Sequence, residues 1–176
     1  VKASDRKEYI VVAVIVIVAV LIFSYISWNH PDIVTEAPNQ ASVLTSNDMT
    51  LSTSSGILWV GQSTREEAIT IFPQGENLGR SGLYRPVNLD CLLSFSKKED
   101  VLIRIDLGPC DLSTSRGIKV NDSFDQVLAA YGTGFTKAYD RKTPQMFDAY
   151  YGTDQFILFK VENNIVKKIY IGSPVL

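Results

Sequence analysis

Residues 9–28 read YIVVAVIVIVAVLIFSYISW, twenty positions without one Asp, Glu, Lys or Arg. No other stretch of the chain limits the folding options so strongly. As a helix rising about 1.5 Å per residue it would be about 30 Å long, the thickness of a hydrocarbon core. It has no polar face, which argues against a buried helix of a globular domain. Lys2, Arg6 and Lys7 precede it, and the next Lys or Arg after it is Arg65. The positive-inside rule then predicts a cytoplasmic segment over 1–8, a transmembrane helix over 9–28 and an extracytoplasmic remainder. Tyr9, Tyr25 and Trp28 stand near the ends, where amphipathic rings favour the headgroup region. The expectation is a single-pass signal-anchor protein of the cell membrane. A cleaved signal peptide is the competing reading. The apolar run is longer than such peptides use, and no A-x-A site follows it.

Residues 29–55 change in character. Pro31, Pro38 and the run TSNDMTLSTSS offer little apolar surface to offset ordering entropy, so a flexible stalk is expected. The single histidine, His30, lies there and receives no role.

The remainder compares with itself. GILWVGQS at 56–63 and GIKVNDS at 117–123 each precede a helical pattern. Ser63 with Glu66, and Ser123 with Gln126, form capping boxes, in which the Ser accepts from a free N–H and the Glu or Gln reaches back. Ala68, Ile69 and Phe72, then Val127, Leu128 and Tyr131, supply apolar faces; Pro73 and Gly132 end the helices. FSKKEDVLIRIDLG at 95–108 aligns with FKVENNIVKKIYIG at 159–172, offset by 64 positions, and both read as hairpins. Val101, Ile103, Ile105 and Leu107 are expected on one face, with Arg104 and Asp106 on the other. Lys167 stands where Ile103 stood, which predicts an edge or a local shift. Further strands are expected within Leu78–Pro86, Phe135–Asp140 and Gln145–Tyr151. The predicted fold is α+β: the transmembrane helix, then two tandem units (56–116 and 117–176), each a short helix packed on an antiparallel sheet; neither buries much core alone, so the units are expected to pack side by side or to join their sheets. The alternative is one α+β domain with coincidental similarity.

GIKVNDSFDQVLAAYG resembles the opening of the SmpA/OmlA and β-lactamase-inhibitor-protein-like superfamily, through Gly117, Val120, Asp122, Ser123, Val127, Tyr131 and Gly132. The first copy departs, with Gln62 in place of the Asp. The resemblance implies small extracytoplasmic α+β units, doubled in the inhibitor proteins, with a binding role and no catalysis. It does not name a partner.

Cys91 and Cys110 flank the first hairpin, and outside the membrane they are expected to pair as a disulfide. One His and two Cys exclude most multi-ligand zinc sites, so no metal and no cofactor are expected. No nucleophile elbow, P-loop or H-E-x-x-H occurs. Gly132-Thr133-Gly134 follows a helix and reads as its stop, not as a dinucleotide loop. The net charge of −2 gives no nucleic-acid footprint.

The candidate binding residues are Tyr139, Arg141, Tyr150, Tyr151 and Tyr170, since Tyr and Arg are favoured interface anchors. Core filling by the rings competes with that reading. Tyr150 and Tyr151 point to opposite sides of a strand. Lys160, Lys167 and Lys168 read as a solvated face or as edge protection. The expected function is a membrane-anchored, noncatalytic module that binds a protein or envelope component through a β-sheet face. The alternatives are a structural subunit of a membrane complex, or a surface hydrolase using carboxylates such as Asp140, Asp148 and Asp154.

Overall fold

A computed structural model describes residues 31–78 and 82–173. Eleven strands and two short α-helices form in them. The strands are β1 (Ile33–Glu36), β2 (Thr50–Thr53), β3 (Gly56–Trp59), β4 (Gly75–Asn77), β5 (Leu83–Pro86), β6 (Cys91–Phe95), β7 (Leu102–Leu107), β8 (Thr136–Asp140), β9 (Met146–Gly152), β10 (Phe156–Glu162) and β11 (Ile165–Gly172). The helices are α1 (Arg65–Ile71) and α2 (Phe124–Tyr131), and a 3-10 turn covers Ser46–Met49. Nine strands make one antiparallel sheet in the order β1-β8-β9-β10-β11-β7-β6-β5-β4; β2 and β3 form a separate hairpin.

This arrangement corrects the expected fold class. The described residues are mostly β, and among them two tandem units with a sheet each do not form. The strands after α2 and those after α1 join through β11 and β7, with Ile169 opposite Leu107 and Ile171 opposite Ile105. One apolar row crosses six strands through directly opposed residues: Tyr84, Leu93, Ile105, Ile171, Ile157 and Tyr151. All six are buried. The helices cover this face. Phe124 of α2 meets Phe147 edge-on at 5.0 Å, and Tyr131 packs against Tyr151 and Phe159 at 5.4 Å each. Arg65 of α1 lies over the Phe95 ring.

The halves share local hydrogen bonding. Leu102 N–H donates to Ser63 O and Gly61 N–H to Leu102 O, both at 2.7 Å; Val166 N–H donates to Asp122 O at 2.9 Å and Asn121 N–H to Val166 O at 2.8 Å. Each helix start is thereby fixed to the turn end of a hairpin. Ser123 caps α2 with Gln126 as its box partner. In α1 the cap falls one residue later than expected: Thr64 is the N-cap with Glu67, while the buried Ser63 instead accepts from Trp59 N–H. Ile69, expected on the apolar face, is exposed.

The hairpins also correct the alignment by two residues. Phe95 opposes Leu102 beside a bulge, and the corresponding pair is Val161 opposite Val166, not Phe159. The first turn is longer; the second is the tight pair Asn163-Asn164, with φ of 50° and 64°. In both hairpins the bulge leaves an extra residue, Ile103 or Lys167, outside the alternation. Leu102, Ile105 and Leu107 therefore face the core, while Val101 and Ile103 are only half-buried.

The segment read as a stalk is structured from Ile33 onward in β1, the 3-10 turn and β2. The membrane assignment is corrected as well. Among the described residues no helix is long and apolar enough to cross a membrane. α1 and α2 have 7 and 8 residues, roughly 10–12 Å of helix against the ~30 Å needed. The span expected over 9–28 lies outside the described residues, as does His30, and the fold gives no support to a single-pass location. The expected disulfide is corrected too: Cys91 and Cys110 are free thiols. Cys91 faces the core opposite Leu107, and burial, with Cys110 and two carboxylates nearby, pushes its thiol up. That suppresses the thiolate through which oxidation proceeds.

Because Ile171 lies in the row that crosses the β11–β7 seam, Ile171→Ala is expected to cost about 3 kcal/mol. Urea denaturation of the full chain, followed by far-UV circular dichroism, checks this as a lowered midpoint.

Candidate functional site

Alternation along the strands gives the nine-stranded sheet a second face, opposite the helices. Its central row reads Leu92, Asp106, Tyr170, Leu158, Tyr150 and Thr136 across β6, β7, β11, β10, β9 and β8. On one side of it runs a row with Ser94, Arg104, Gly172 and Phe156; on the other a row with Lys168, Lys160, Asp148 and Ala138. Half-buried Leu92, Leu158, Tyr150, Phe156 and Tyr170 make it part apolar.

The packing of these groups is definite. The Phe156 and Tyr150 rings stack with centroids 5.1 Å apart and planes 19° apart. Gly172 makes room for that stack, since a Cβ there would lie 2.6 Å from a Phe156 ring carbon. The Arg104 fork holds Asp106 through Nε at 2.6 Å and one terminal nitrogen at 3.1 Å. Lys160 donates to both Asp148 oxygens at 3.0 and 3.1 Å. Arg104 and Lys168 both approach the Tyr170 ring, 5.7 and 5.4 Å from its centroid. Toward the β8–β9 turn the face sinks into a depression of about 360 Å³. Exposed Ile33 and Met146, with Lys160 and Lys167, lie along it.

Of the five residues predicted for binding, the structure brings together Tyr150 and Tyr170, separated on this face by Leu158. Tyr151 belongs to the core: it is fully buried, donates to Gly132 O at 2.8 Å, and burial raises its pKa. Tyr139 falls in the other alternation class, opposite Phe147, and donates to Glu36 across to the edge strand β1 at 2.8 Å. Arg141 is exposed in the β8–β9 turn. Lys160 and Lys168 stand on interior strands, so edge protection does not explain them. Sequence reasoning set Arg104 on the outward face but not among the binding residues, and it missed Phe156 and Leu158. The last two lie on β10, between the strands of Tyr150 and Tyr170, and alternation reaches them from Tyr170 only once the bulge is known.

Two of the carboxylates named for hydrolysis already have donors. Asp148 is engaged by an ammonium, and Asp140 accepts from Lys142 N–H at 2.9 Å. Among the described residues no group of three His, Cys, Asp or Glu is placed to hold a metal ion.

Behind the core, a buried ion pair was also missed, because its acid lies in the segment read as stalk. Asp48 is 1% exposed. It accepts from Arg116 Nε at 2.7 Å, from a terminal nitrogen of Arg116 at 2.6 Å, and from the Thr45 N–H at 2.7 Å. Arg116 also lies over the Tyr131 ring, 4.5 Å from its centroid, and donates to Ala130 O at the end of α2. No protein-family model, no curated protein and no solved structure matches this chain.

Burial by itself would raise the Asp48 pKa, but the hydrogen bonds from Arg116 and Thr45 outweigh it and hold the carboxyl below its usual range. A depressed folded-state pKa contributes stability that is complete above the unfolded value of about 3.9 and is lost as pH falls through the folded value. Asp48→Asn is expected to cost about 3 kcal/mol at neutral pH, because it leaves Arg116 without its counter-charge. The penalty should shrink as the pH is lowered toward about 3. Urea midpoints of both proteins across that range check the sign.

Proposed function

We propose that this chain is a noncatalytic binding module that recognises a protein partner through the helix-free face of its sheet. The observation that carries the reading is the central row of that face: Tyr150 and Tyr170 flank Leu158, with Phe156 stacked on Tyr150. Aromatic rings offer large contact area at low entropic cost, and interface hot spots are enriched in Tyr and Arg. The rings are held before any partner arrives, Phe156 by its stack on Tyr150 in the space Gly172 leaves and Tyr170 by two cations, so little ordering is left for the bound state. Paired charges around them, Arg104 with Asp106 and Lys160 with Asp148, form the polar surround of an interface. The resemblance of 117–132 to the inhibitor-protein superfamily points to binding too. A carboxylate hydrolase is the weaker reading, since Asp148 is already held by Lys160.

A photo-cross-linking residue placed at Tyr170, and separately at Lys97 in the first hairpin turn, tests this in cells that make the full chain. One discrete adduct from position 170, absent from position 97, is the expected result. No adduct from 170, or the same set from both positions, would remove the face as a docking surface.

A further inference from the structure

The charges around Tyr170 do not balance. Lys168 of β11 sits directly opposite Lys160 of β10, and like charges so placed are destabilising. Asp148, on the far side of Lys160, takes that ammonium at 3.0 Å. The Lys168 ammonium is left, among the described residues, without an anionic partner and lies over the Tyr170 ring. At the other end of the ring stands Arg104. Its Nε and one terminal nitrogen are spent on Asp106, while its second terminal nitrogen is unengaged among the described residues, and its side chain is 45% exposed. Ser94, directly opposite Arg104 on β6, has a buried hydroxyl with no hydrogen-bond partner among the described residues. One uncompensated ammonium and a guanidinium with donors to spare thus approach one ring on a face free of helices, with an unsatisfied hydroxyl beside the guanidinium on the next strand.

We infer that the Lys168–Tyr170–Arg104 cluster is a carboxylate-reading subsite, and that the partner segment it takes is acidic and extended. This rests on the sheet face being the binding surface. A carboxylate at Lys168 relieves the repulsion from Lys160, and a second meets the free donors of Arg104. Carboxylates at alternate positions of an extended strand lie about 7 Å apart on one side, which lets one segment address both cations around the ring. A phosphate-rich or basic partner gains less: Asp106 and Asp148 bracket the cluster and oppose a higher anionic charge or leave a cation only partly matched.

The test is a titration of the isotope-labelled full chain with acetyl-Ser-Glu-Ser-Glu-Ser-amide, and with the same peptide carrying Gln for Glu, followed by NMR. The Glu peptide is expected to shift resonances of Lys168, Tyr170 and Arg104 saturably, the Gln peptide not. Lys168→Gln should weaken the Glu peptide about two- to fivefold, as for an exposed ion pair, and Lys97→Gln should leave it unchanged. Added salt should weaken binding. Equal shifts with both peptides, shifts elsewhere on the protein, or no shift would each overturn the inference. If cross-linking from position 170 still gives its discrete adduct, the face binds by other chemistry and only the carboxylate assignment fails. If that adduct is missing as well, the binding reading fails with it.

Discussion

Four residue pairs between β11 and β7 decide what kind of molecule this is. Without them, the strands on either side would be two narrow sheets, each with a long apolar edge strand open to solvent and to other chains. With them, Ile105 and Ile171 lie opposite each other, and the apolar rows of the two halves run on without a break. A small sheet covered by one helix of 7 or 8 residues buries little, and stability rises with the fraction of surface removed from water. Joining the sheets solves both problems through backbone hydrogen bonds and opposed aliphatic side chains.

The same seam creates the outer face. Alternation sends Ile105 and Ile171 inward, and so sends Arg104, Asp106 and Tyr170 outward, at the centre of the sheet rather than at a margin. Arg104 comes from one half and Lys168 from the other, and the Tyr170 ring lies between them. Neither half carries this cluster alone. A broad face on which aromatic and aliphatic side chains alternate with paired ions is suited to another protein's surface more than to a small molecule enclosed in a cavity.

How much of this could be read in the sequence varied with the physics behind each feature. Local, side-chain-encoded features were legible: Ser123 and Gln126 at the start of α2, Gly132 at its end with φ of 79°, and the tight Asn163-Asn164 turn. Alternation was legible in a more robust way. Matching Phe95 to Phe159 was wrong by two residues, yet a slip of two keeps every side chain on its face. The bulges were not legible, because Ile103 looks like a core residue until the ladder shows it unpaired; only Lys167 at the matching place signalled a shift. Joined sheets were one of two expected ways to bury enough core, but that β11 pairs with β7 was not legible. The pairing is long-range, and each strand reads equally well in a small sheet of its own. Of the binding residues, Tyr150 and Tyr170 meet on one face only because of the bulge at Lys167, since a regular hairpin closed by Asn163-Asn164 would set Tyr170 opposite Ile157 on the core face; the placing of Tyr139 at the β1 edge depended on a strand that composition had assigned to a spacer.

That spacer shows why composition misled. Residues 40–49 carry scattered apolar side chains with no sustained period, so pattern reading found no face to bury. They are held by polar groups meeting backbone. Ser42 N–H donates to Gly134 O at 2.8 Å, and Gly134 N–H returns to Ser42 Oγ at 3.1 Å. The approach is so close that a Cβ on Gly134 would fall 2.3 Å from the Ser42 nitrogen. Arg116 then reaches Val43 O, Ala130 O and the Asp48 carboxylate with one guanidinium. Charge-assisted hydrogen bonds in a site sheltered from water are stronger than neutral ones, and each further partner lowers the cost of keeping both ions there. The core needs this strap, because Met49 and Leu51, which follow Asp48 directly, are among its fully covered side chains. A polar segment thus delivers two apolar residues to the interior, and the ion pair is what fixes the point of delivery.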